Sequence, residues 1–585
     1  MMTRSFAQAV LACAVALGMT AIAQAAEPAP AQGAVGGVLA PQRILQVGLV
    51  LKPQVTMRQQ QAAVEQWLTR DGGDPLLRGQ LARASAASTR DIAQVKAYLS
   101  RYGITDVRPA IDGRLLQVRA TAAALQAALG TPLRAVSADG RLGVAAAQGP
   151  VAVPAGLQAV VQGVVGLDGT AGAKVTPHGA PLSAARTSLL NSSAVTAANS
   201  GGAEVVRHSI EELNSAYGAD TLAPASDIVG AVIAAGNLEN TLARLQSFQD
   251  LHGLHTPVTV VTVGDPSAPG YQSDAASKDS EVEWDMDTQL LVGSAGGLKR
   301  LIIYNIPDFS WKSMIDGMAR AADDNLARVV SMSIYGQEIQ VNDAVFQAMD
   351  ASLTKAVRQG QNFLICSGDD GVYLPLSARA NAPYYDTLAG RPDLRQVGWP
   401  ASHRYAIAVG ATELLTQGGN PGSYASERVW NAGVGRHLSQ GGLSKIAYAP
   451  QWQRTLLPGQ TASGYRAVPD VSFNGSFYSS AQIRGTDAQG NEAAWYVWGT
   501  SAATPTSAGY IARLLQSHPT LGFVAPQIYQ YASQRHDAQR AHDVVVGSNG
   551  LYRDGYNASY GWDFASGWGS MNIGDFDRFL TQAAP

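Results

Sequence analysis

The spacing of apolar residues between positions 40 and 140 changes repeatedly from a period of two to a helical period, which predicts a small α+β domain. Apolar residues three and four apart indicate helices, for which Thr56 and Ser88 are candidate caps. The predicted strands are Ile44–Leu51, Ile104–Val107, Leu115–Val118 and Pro132–Val136, and the predicted helices are Thr56–Arg70, Ser88–Arg101 and Thr121–Leu129. The order β-α-α-β-β-α-β is typical of a split βαβ, or ferredoxin-like, arrangement.

Beyond residue 225 the pattern differs, because nearly continuous apolar runs alternate with amphipathic stretches. The runs predicted as strands are Ile228–Ala235, Val258–Val263, Leu301–Tyr304, Val329–Ile334, Phe363–Ile365 and Ala406–Val409. Helices are predicted at Trp311–Asp324 and Asp343–Arg358. This alternation predicts an α/β fold whose parallel sheet is covered by helices on both faces. Sites in such sheets form at the carboxyl ends of the strands.

A stretch rich in alanine, serine, asparagine and threonine separates the two halves and has linker composition. The net charge changes sign there, since residues 1–200 carry 17 Lys and Arg against 9 Asp and Glu, whereas residues 201–585 carry 25 against 36. We expect domains at 26–180 and 204–585, joined by a linker at 181–203, with docking that is partly electrostatic. The acidic second domain has no basic stripe for nucleic acid, so no nucleic-acid partner is expected.

The first 25 residues predict export. They contain Arg4 as their only charge, continue as an apolar run and end in Ala23-Gln24-Ala25, which fits a signal-peptidase site. We expect a secreted protein, extracellular or periplasmic, that is free of the membrane once the signal is removed, because no later run of about 18 apolar residues follows. Of the two cysteines, Cys13 lies in this signal, so Cys366 is predicted to be a core residue without a disulfide.

A candidate nucleophile lies in the segment Gly499–Pro505 (GTSAATP), between a predicted strand, Trp495–Trp498, and a predicted helix, Ser507–Leu515. A serine at a strand-to-helix turn has its hydroxyl beside the helix N-terminus, which suits a nucleophile and its oxyanion. On this pattern alone, an ordinary helix cap is favoured.

The motif Gly-Thr-Ser-x-x-x-Pro around Ser501 resembles the nucleophile motif of subtilisin-like peptidases and of the related sedolisins, or serine-carboxyl peptidases. The subtilisin type has its base in a His-Gly-Thr context, which none of the nine histidines has. The sedolisin type uses glutamate, and Glu283–Asp287 (EWDMD) resembles its Glu-Trp-x-x-Asp motif. Glu283 and Asp287 are four residues apart and share one face of a predicted helix. Glu281 and Asp285 are expected on its solvated face.

A third motif follows the apolar run Phe363–Cys366. Ser367–Gly371 (SGDDG) resembles the Gly-Asp-x-Gly turn that supplies the oxyanion acid of sedolisins, which implies this role for Asp369 and not for Asp370. By itself the segment would be an ordinary turn. The three motifs come in the order of the family.

The resemblance covers most of residues 205–585 and is strongest to pseudomonalisin-like bacterial members. It implies a subtilisin-like catalytic domain, preceded by an activation pro-segment that serves as intramolecular inhibitor and chaperone, and a monomer acting on proteins or peptides. By resemblance, substrate would contact Ser333, Gly336 and Gly442. Trp498 departs from the pattern, because the family usually has serine there.

The C-terminal region resembles the calcium site of the family. That site has Asp-hydrophobic followed by Gly-x-Gly-x-Asp, and here the first glycine is replaced by Ser559. The resemblance implies one structural Ca²⁺, whose hard oxygen ligands would come from Asp543, Val544, Ser559, Gly561 and Asp563. Without the resemblance, both aspartates would be turn formers.

The implied reaction is peptide hydrolysis, with Ser501 as nucleophile, Glu283 as base, Asp287 as its support and Asp369 as oxyanion donor. Glu283 must be ionised and Asp369 protonated, which restricts activity to acid. Two alternatives stay open at this point. One is a subtilisin-type peptidase with a histidine base such as His403 or His437, and the other is an inactive, calcium-stabilised binding protein.

Overall fold

The computed structural model describes the chain in segments. They are residues 34–69, 75–138, 141–147, 151–169, 171–176, 178–181, 206–271, 280–373, 395–417, 422–433, 437–487, 489–535, 541–551 and 554–583. The predicted signal peptide and the predicted linker beyond Pro181 lie outside the described residues. Within the described part of the chain, no helix is both long and apolar enough to cross a bilayer.

The N-terminal domain is a mixed α/β unit with two antiparallel sheets. Its strands are β1 (Ala34–Val38), β2 (Ile44–Leu51), β3 (Asp106–Ala110), β4 (Leu115–Thr121), β5 (Leu133–Ala138), β6 (Arg141–Ala146), β7 (Val161–Val165) and β8 (Asp168–Gly169). Its helices are α1 (Met57–Thr69), α2 (Pro75–Ser85), α3 (Thr89–Ser100) and α4 (Ala122–Leu129). The strand orders are β3-β4-β2-β7 and β1-β5-β6-β8. Helix α2 and strands β6 and β7 were not expected from the apolar pattern.

The second domain contains all but one of the remaining elements. Strand β9 (Gly179–Pro181) ends the N-terminal region and pairs with this domain. The strands of the domain itself are β10 (Ala225–Ala235), β11 (Val258–Thr262), β12 (Leu298–Ile306), β13 (Val329–Met332), β14 (Gly336–Gln337), β15 (Asn362–Cys366), β16 (Gly398–Trp399), β17 (Ile407–Gln417), β18 (Ser423–Val429), β19 (Gly442–Tyr448), β20 (Tyr465–Val468), β21 (Val471–Asn474), β22 (Ala481–Thr486) and β23 (Glu492–Val497). Its α-helices are α5 (Ile210–Ala216), α6 (Glu239–His252), α7 (Glu281–Ala295), α8 (Trp311–Asp324), α9 (Asp343–Arg358), α10 (Gln451–Leu456), α11 (Thr500–Ser517), α12 (Ala525–Arg535) and α13 (Ile573–Ala583).

The central sheet has the order β11-β12-β10-β13-β15-β17-β18, with β21 also paired to β17. All of these pairs are parallel except that of β17 with β18, which is antiparallel. The near-continuous burial of strands such as β15 explains why their sequences lack a polar face. This architecture confirms the predicted α/β fold, a mostly parallel sheet flanked by helices.

The two helices that carry Glu283, Asp287 and Ser501, α7 and α11, pack directly against each other. Gly509 of α11 allows the contact, because a Cβ built there would lie 2.6 Å from both the Ala295 nitrogen and the Ser294 Cβ of α7. Residues 283–295 of α7 are buried on every side, so this helix lies inside the domain.

The N-terminal domain docks on α8 and α9 through apolar and charged contacts. Val50, Val64 and Leu115 join the hydrophobic cluster of the second domain. At the rim, Asp112 contacts the Lys355 ammonium at 2.9 Å and the Arg358 guanidinium at 2.8 Å.

Charges of both signs lie on each side of this interface. Arg119 of the N-terminal domain pairs with Asp265 at 3.4 Å, but Glu65 of the same domain pairs with Arg454 at 2.9 Å. The net charges of the two domains therefore do not by themselves describe their docking.

Candidate active site

The predicted base and its support lie on the buried face of α7. Glu283 and Asp287 are both fully buried, one helical turn apart. Asp285 corrects the expectation of a solvated acidic face, because its carboxylate is buried and contacts the Arg244 guanidinium at 2.6 Å. The acidic side chains of Glu283, Asp285 and Asp287 are thus all buried in protein. The Arg244 guanidinium compensates the negative charge of Asp285, which lies away from the site.

The predicted nucleophile lies in the first turn of α11. Gly499 precedes the helix with a φ of 105°, in the left-handed region that favours glycine, so the chain turns sharply from β23 into the helix. Pro505 has no N–H to bond the Ser501 carbonyl one turn earlier. The Ser333 hydroxyl lies 3.5 Å from that carbonyl oxygen.

Glu283, Asp287, Ser501 and Asp369 are brought together by the packing of α7 on α11. Burial raises the pKa of Glu283 well above its ordinary value, and the charges of Asp287 and Asp369 raise it further, whereas the Ser501 hydroxyl lowers it. In the described part of the chain, neither Ser501 Oγ nor the Glu283 carboxylate has a hydrogen bond of ordinary geometry. Such bonds are often long before substrate binds. A buried, unpaired carboxyl beside a serine is typical of a reaction centre.

Asp287 is held by Ser333. The Ser333 hydroxyl donates a hydrogen bond of 2.6 Å to Asp287 Oδ1. Burial raises the pKa of Asp287 to about 8, and the hydrogen bond from Ser333 acts against this rise. Ser333, which was expected to bind substrate, therefore has its side chain on the acidic pair.

Asp369 lies at the end of β15, beside the N-terminus of α11. Its Oδ1 accepts hydrogen bonds from the Thr500 backbone N–H at 3.0 Å and from the Thr500 hydroxyl at 2.6 Å. The Asp369 backbone N–H donates to the Tyr335 hydroxyl at 3.1 Å. These contacts direct the second carboxylate oxygen, Oδ2, away from the helix and toward His178.

The end of the N-terminal region runs through this site as an extended chain. Strand β9 pairs antiparallel with β23. Upstream, the Lys174 backbone N–H donates to the Tyr335 carbonyl at 2.8 Å, and the Tyr335 N–H donates back at 3.1 Å. An extended peptide that pairs with sheet edges is a common mode of substrate and inhibitor binding. Residues 172–176 and 178–181 therefore occupy the predicted substrate cleft.

His178 brings an imidazole to the predicted oxyanion acid. Its Nε2 lies 3.1 Å from Asp369 Oδ2. The ring stacks on Trp498, with centroids 5.7 Å apart and planes at 8°, and contacts the His437 ring at a centroid distance of 4.4 Å. Trp498, the departure from the family pattern noted in the sequence, thus forms one wall of the His178 pocket.

This imidazole changes the protonation of the site. Burial by itself would raise the pKa of Asp369, but His178 and then Thr500 outweigh it, and the pKa is lowered from its ordinary value. Asp369 is therefore ionised while Glu283 and Asp287 have raised pKa values. That distribution of protons is the reverse of what an oxyanion donor and a general base require.

The other residues expected to bind substrate lie nearby. Gly336 pairs with Trp399, and a Cβ built at Gly336 would lie 2.6 Å from the Trp311 ring. Gly442 pairs with Val468 and has a φ of 150°. Their contacts with a substrate stay predictions.

His403 has a structural environment. It is fully buried, with Nε2 3.1 Å from Asp350 Oδ1 and Nδ1 accepting the Tyr405 backbone N–H at 3.1 Å. Burial lowers its pKa to about 4, although Asp350 opposes this. Both ring nitrogens are therefore occupied away from Ser501. His437 contacts His178 and so lies on the Asp369 side of the site.

The residues expected to bind calcium surround one loop. The Gly561 N–H donates to Asp543 Oδ2 at 2.9 Å, and the Ser559 N–H donates to Asp563 Oδ2 at 2.8 Å, while Val544 is buried beside them. Among the described residues, no group of three or more His, Cys, Asp or Glu forms a metal site. An ion here would take its other ligands from backbone carbonyls and water, which fits Ca²⁺.

Sequence reasoning did not find several residues of the site. His178, Lys174, Tyr335 and Thr500 received no role, and Asp370 was set aside. Thr500 was adjacent to the motif serine and could have been inferred as a cap. The others depend on contacts between distant parts of the chain, for which one sequence carries no signal.

Comparison with known proteins finds relatives for both domains. Residues 252–569 match the Subtilase family, and residues 31–170 match the pro-kumamolisin activation domain. The chain is 31% identical over 543 residues to sedolisin from Pseudomonas sp. (strain 101), which covers 91% of this chain and 86% of that protein. It is 26% identical over 505 residues to kumamolisin from Bacillus sp. (strain MN-32), with 85% and 84% covered.

The chain is also similar to a solved structure of a serine-carboxyl proteinase. Pseudomonas sedolisin, a serine-carboxyl proteinase complexed with two molecules of pseudo-iodotyrostatin, superposes with a TM-score of 0.57 and 32% identity. The match covers 65% of this chain and 99% of that chain. Fold and site together define a subtilisin-like serine peptidase with an activation pro-segment. The chain belongs to the sedolisin family of serine-carboxyl peptidases, which confirms the resemblance inferred from its motifs.

Proposed function

We propose that this zymogen is a secreted, acid-acting endopeptidase that processes itself and hydrolyses peptide bonds through Ser501, Glu283, Asp287 and Asp369. Ser501 Oγ attacks the peptide carbonyl carbon and gives its proton to Glu283. Protonated Asp369 donates a hydrogen bond to the oxyanion. Glu283 then returns the proton to the leaving amine, and water hydrolyses the acyl-enzyme in a second, similar step. The observation that carries the proposal is the burial of all four side chains where α11 packs against both α7 and β15.

The protonation of the three carboxyls supports acid action. The negative charge of Asp369 is one cause of the raised pKa of Glu283. Protonation of Asp369 by solvent therefore removes a charge that opposes the ionisation of Glu283. Acid favours this state because it neutralises Asp369, whereas at neutral pH Asp369 loses its proton.

His178 supports a zymogen that is silent until acid is reached. While His178 pairs with Asp369, the lowered pKa keeps that carboxylate ionised, and an ionised carboxylate donates no hydrogen bond. A depressed pKa stabilises the docked segment above the ordinary carboxyl pKa, and this stabilisation is lost as the pH falls through the lowered value. Protonation of Asp369 thus favours both the release of the segment and the catalytic state of the site.

Two parts of the proposal rest on sequence chemistry. Export follows from the pattern of residues 1–25, and one structural Ca²⁺ follows from the resemblance of Asp543, Val544, Ser559, Gly561 and Asp563 to the calcium site of the family. Bound Ca²⁺ would neutralise the two carboxylates and stabilise the fold. It has no part in the reaction.

The test is self-processing of the purified precursor across a series of pH values, followed by gel electrophoresis. Wild type is expected to lose the pro-segment in acid only. Ser501→Ala and Glu283→Gln are expected to lower the rate at least about a thousandfold, and Asp369→Asn by about a hundredfold or more. Glu281→Gln, on the same helix but partly exposed, is the matched control and should process normally.

Three outcomes would contradict the proposal in different ways. Processing by Ser501→Ala would exclude Ser501 as the nucleophile. Casein cleavage at neutral pH that is lost on replacement of His437 would indicate a histidine base. A precursor that cleaves neither itself nor casein at any pH would favour the inactive binding protein.

A further inference from the structure

Asp370 is a second buried carboxylate beside the site, with no role in the reaction described above. Its side chain is fully buried. Asp370 Oδ2 accepts hydrogen bonds from the Tyr335 hydroxyl at 3.1 Å and from the Gln337 amide at 2.9 Å. Gln440 fixes that amide, because its Nε2 donates to Gln337 Oε1 at 2.9 Å. Two neutral donors, the second of them held by Gln440, thus hold the carboxylate in one orientation.

The cation on Asp370 comes from the pro-segment. Lys174 Nζ lies 3.0 Å from Asp370 Oδ1 and 2.9 Å from Oδ2, and 5.1 Å from the centre of the Tyr335 ring. The Lys174 backbone is the one that exchanges two hydrogen bonds with Tyr335. Lys174 therefore reaches the carboxylate from a residue that is bound to the cleft in the extended, antiparallel manner of a peptide substrate.

Maturation removes this ammonium and leaves the carboxylate. A buried charge that loses its partner is costly, whereas restoring a cation at the same position recovers the interaction. The acceptor oxygens, the tyrosine face and the strand edge all remain on the catalytic domain. Together they form a binding site for a lysine or arginine side chain, whose cation would contact both the carboxylate and the tyrosine ring.

We infer that Asp370 forms a specificity subsite that takes a basic side chain of the substrate, at the position whose backbone pairs with Tyr335. The chain runs from Lys174 at this subsite to His178 at Asp369, so the basic residue lies on the amino side of the bond that is cleaved. Asp370 acts in recognition and Asp369 in the reaction, although the two residues are adjacent. The inference rests on the proposed peptidase function of the same cleft.

The first experiment uses the processed wild-type enzyme and a peptide library made from a digested proteome. Cleavage sites are mapped by mass spectrometry in acid. We expect lysine and arginine to be enriched at one fixed position on the amino side of the cleaved bonds. Cleavage without this enrichment would overturn the inference and leave the proposed function intact. No cleavage at all would overturn the proposed function, and the inference with it.

The second experiment compares two fluorogenic peptides that carry lysine or norleucine at that position. For wild type, kcat/KM should favour the lysine peptide, mainly through KM. Asp370→Asn should lower that preference on the order of 30-fold, the usual effect of removing one partner of a buried charge pair. Its kcat/KM should fall much more for the lysine peptide than for the norleucine peptide, because only the lysine side chain pairs with the carboxylate.

Asp487→Asn, in the turn between β22 and β23, is the control and should keep the preference of wild type. An Asp370→Asn enzyme that loses activity equally on both peptides would show a structural role and overturn the inference. If that variant does not fold, the peptide-library experiment with wild type still tests whether the subsite prefers a basic side chain.

Discussion

His178 Nε2 lies 3.1 Å from Asp369 Oδ2, so a residue of the pro-segment is paired with the carboxyl group proposed to stabilise the oxyanion. Both side chains are shielded from water, and Trp498 and His437 enclose the imidazole. In the proposed mechanism this contact inhibits in two ways, because it blocks the cleft sterically and keeps Asp369 ionised. Inhibition and pH sensing therefore depend on the same pair of atoms.

Replacing His178 should shift the pH at which the zymogen activates. His178→Ala removes the group that lowers the pKa of Asp369, so burial will raise that pKa and Asp369 will be protonated at a higher pH. Self-cleavage, followed on gels as a function of pH, should begin at higher pH than in wild type.

The control for this shift is His255→Ala, because His255 is exposed on the surface. Combining His178→Ala with Ser501→Ala should abolish processing at every pH. An unchanged pH threshold in His178→Ala would show that the pair does not govern activation.

Ser333 should act as a positioning residue through Asp287. Ser333→Ala removes the hydrogen bond that stabilises the Asp287 carboxylate, so the pKa of Asp287 will rise and Glu283 will lose part of its support. We expect kcat to fall about 10- to 100-fold, the usual effect of losing a hydrogen bond to a charged group, with little change in KM. The pH–rate profile should change shape as well.

Ser331→Ala is a matched control for Ser333, because Ser331 lies two residues earlier and is equally buried. Its hydroxyl has no hydrogen-bond partner among the described residues. Equal losses in the two variants, or a Ser333→Ala effect on KM alone, would contradict the positioning role.

The rim contact of Asp112 should make the docking of the pro-segment weaker in acid. Burial opposes the ionisation of Asp112, but Lys355 and Arg358 outweigh it and lower its pKa. The carboxylate therefore stabilises the docked form above the ordinary carboxyl pKa and ceases to do so as the pH falls through the lowered value.

In a Ser501→Ala background, Asp112→Asn should destabilise the precursor by about 1 kcal/mol at neutral pH, and the difference should disappear in acid. Thermal unfolding at several pH values and salt concentrations measures this. Asp106→Asn is the control, because Asp106 pairs with Arg108 within its own domain. A difference that persists in strong acid would argue against the assigned charge contact.

Removal of calcium should destabilise the enzyme without changing its catalytic groups. A chelator is expected to lower the melting temperature by several degrees, since a ligand at a hundredfold excess over its Kd contributes about 3 kcal/mol. Asp543→Asn should melt at this lower temperature with or without the chelator. A wild-type melting temperature that does not respond to the chelator would exclude the ion.

Much of the fold could be read from the sequence because its signals are local. The helices Trp311–Asp324 and Asp343–Arg358 begin and end as predicted, since their apolar faces and polar caps lie within a few residues of one another. The helix after Ser501 was predicted to begin too late, at Ser507, whereas it begins at Thr500. Its first turns contain threonine, serine, alanine and Pro505, which give no amphipathic period.

The motifs of the site could be recognised because each of them is also local in the sequence. The charge partners of its residues could not be predicted, because they come from distant parts of the chain. Asp285 looked solvated because its partner, Arg244, lies on a different helix. His178 was predicted to lie in the N-terminal domain, before the linker, and only tertiary structure brings it to Asp369. The sequence carries the residues of the reaction, whereas the inhibitory contact depends on how two domains dock.

The close contact of α7 with α11 at Gly509 has a consequence for how this enzyme can diversify. The separation between the base and the nucleophile is set by two helix backbones in van der Waals contact inside the core, and not by surface loops. The cleft walls that select a substrate, by contrast, are built from strand edges, turns and the side chains on them. Recognition can therefore be remodelled in evolution or by engineering while the reacting atoms keep their spacing.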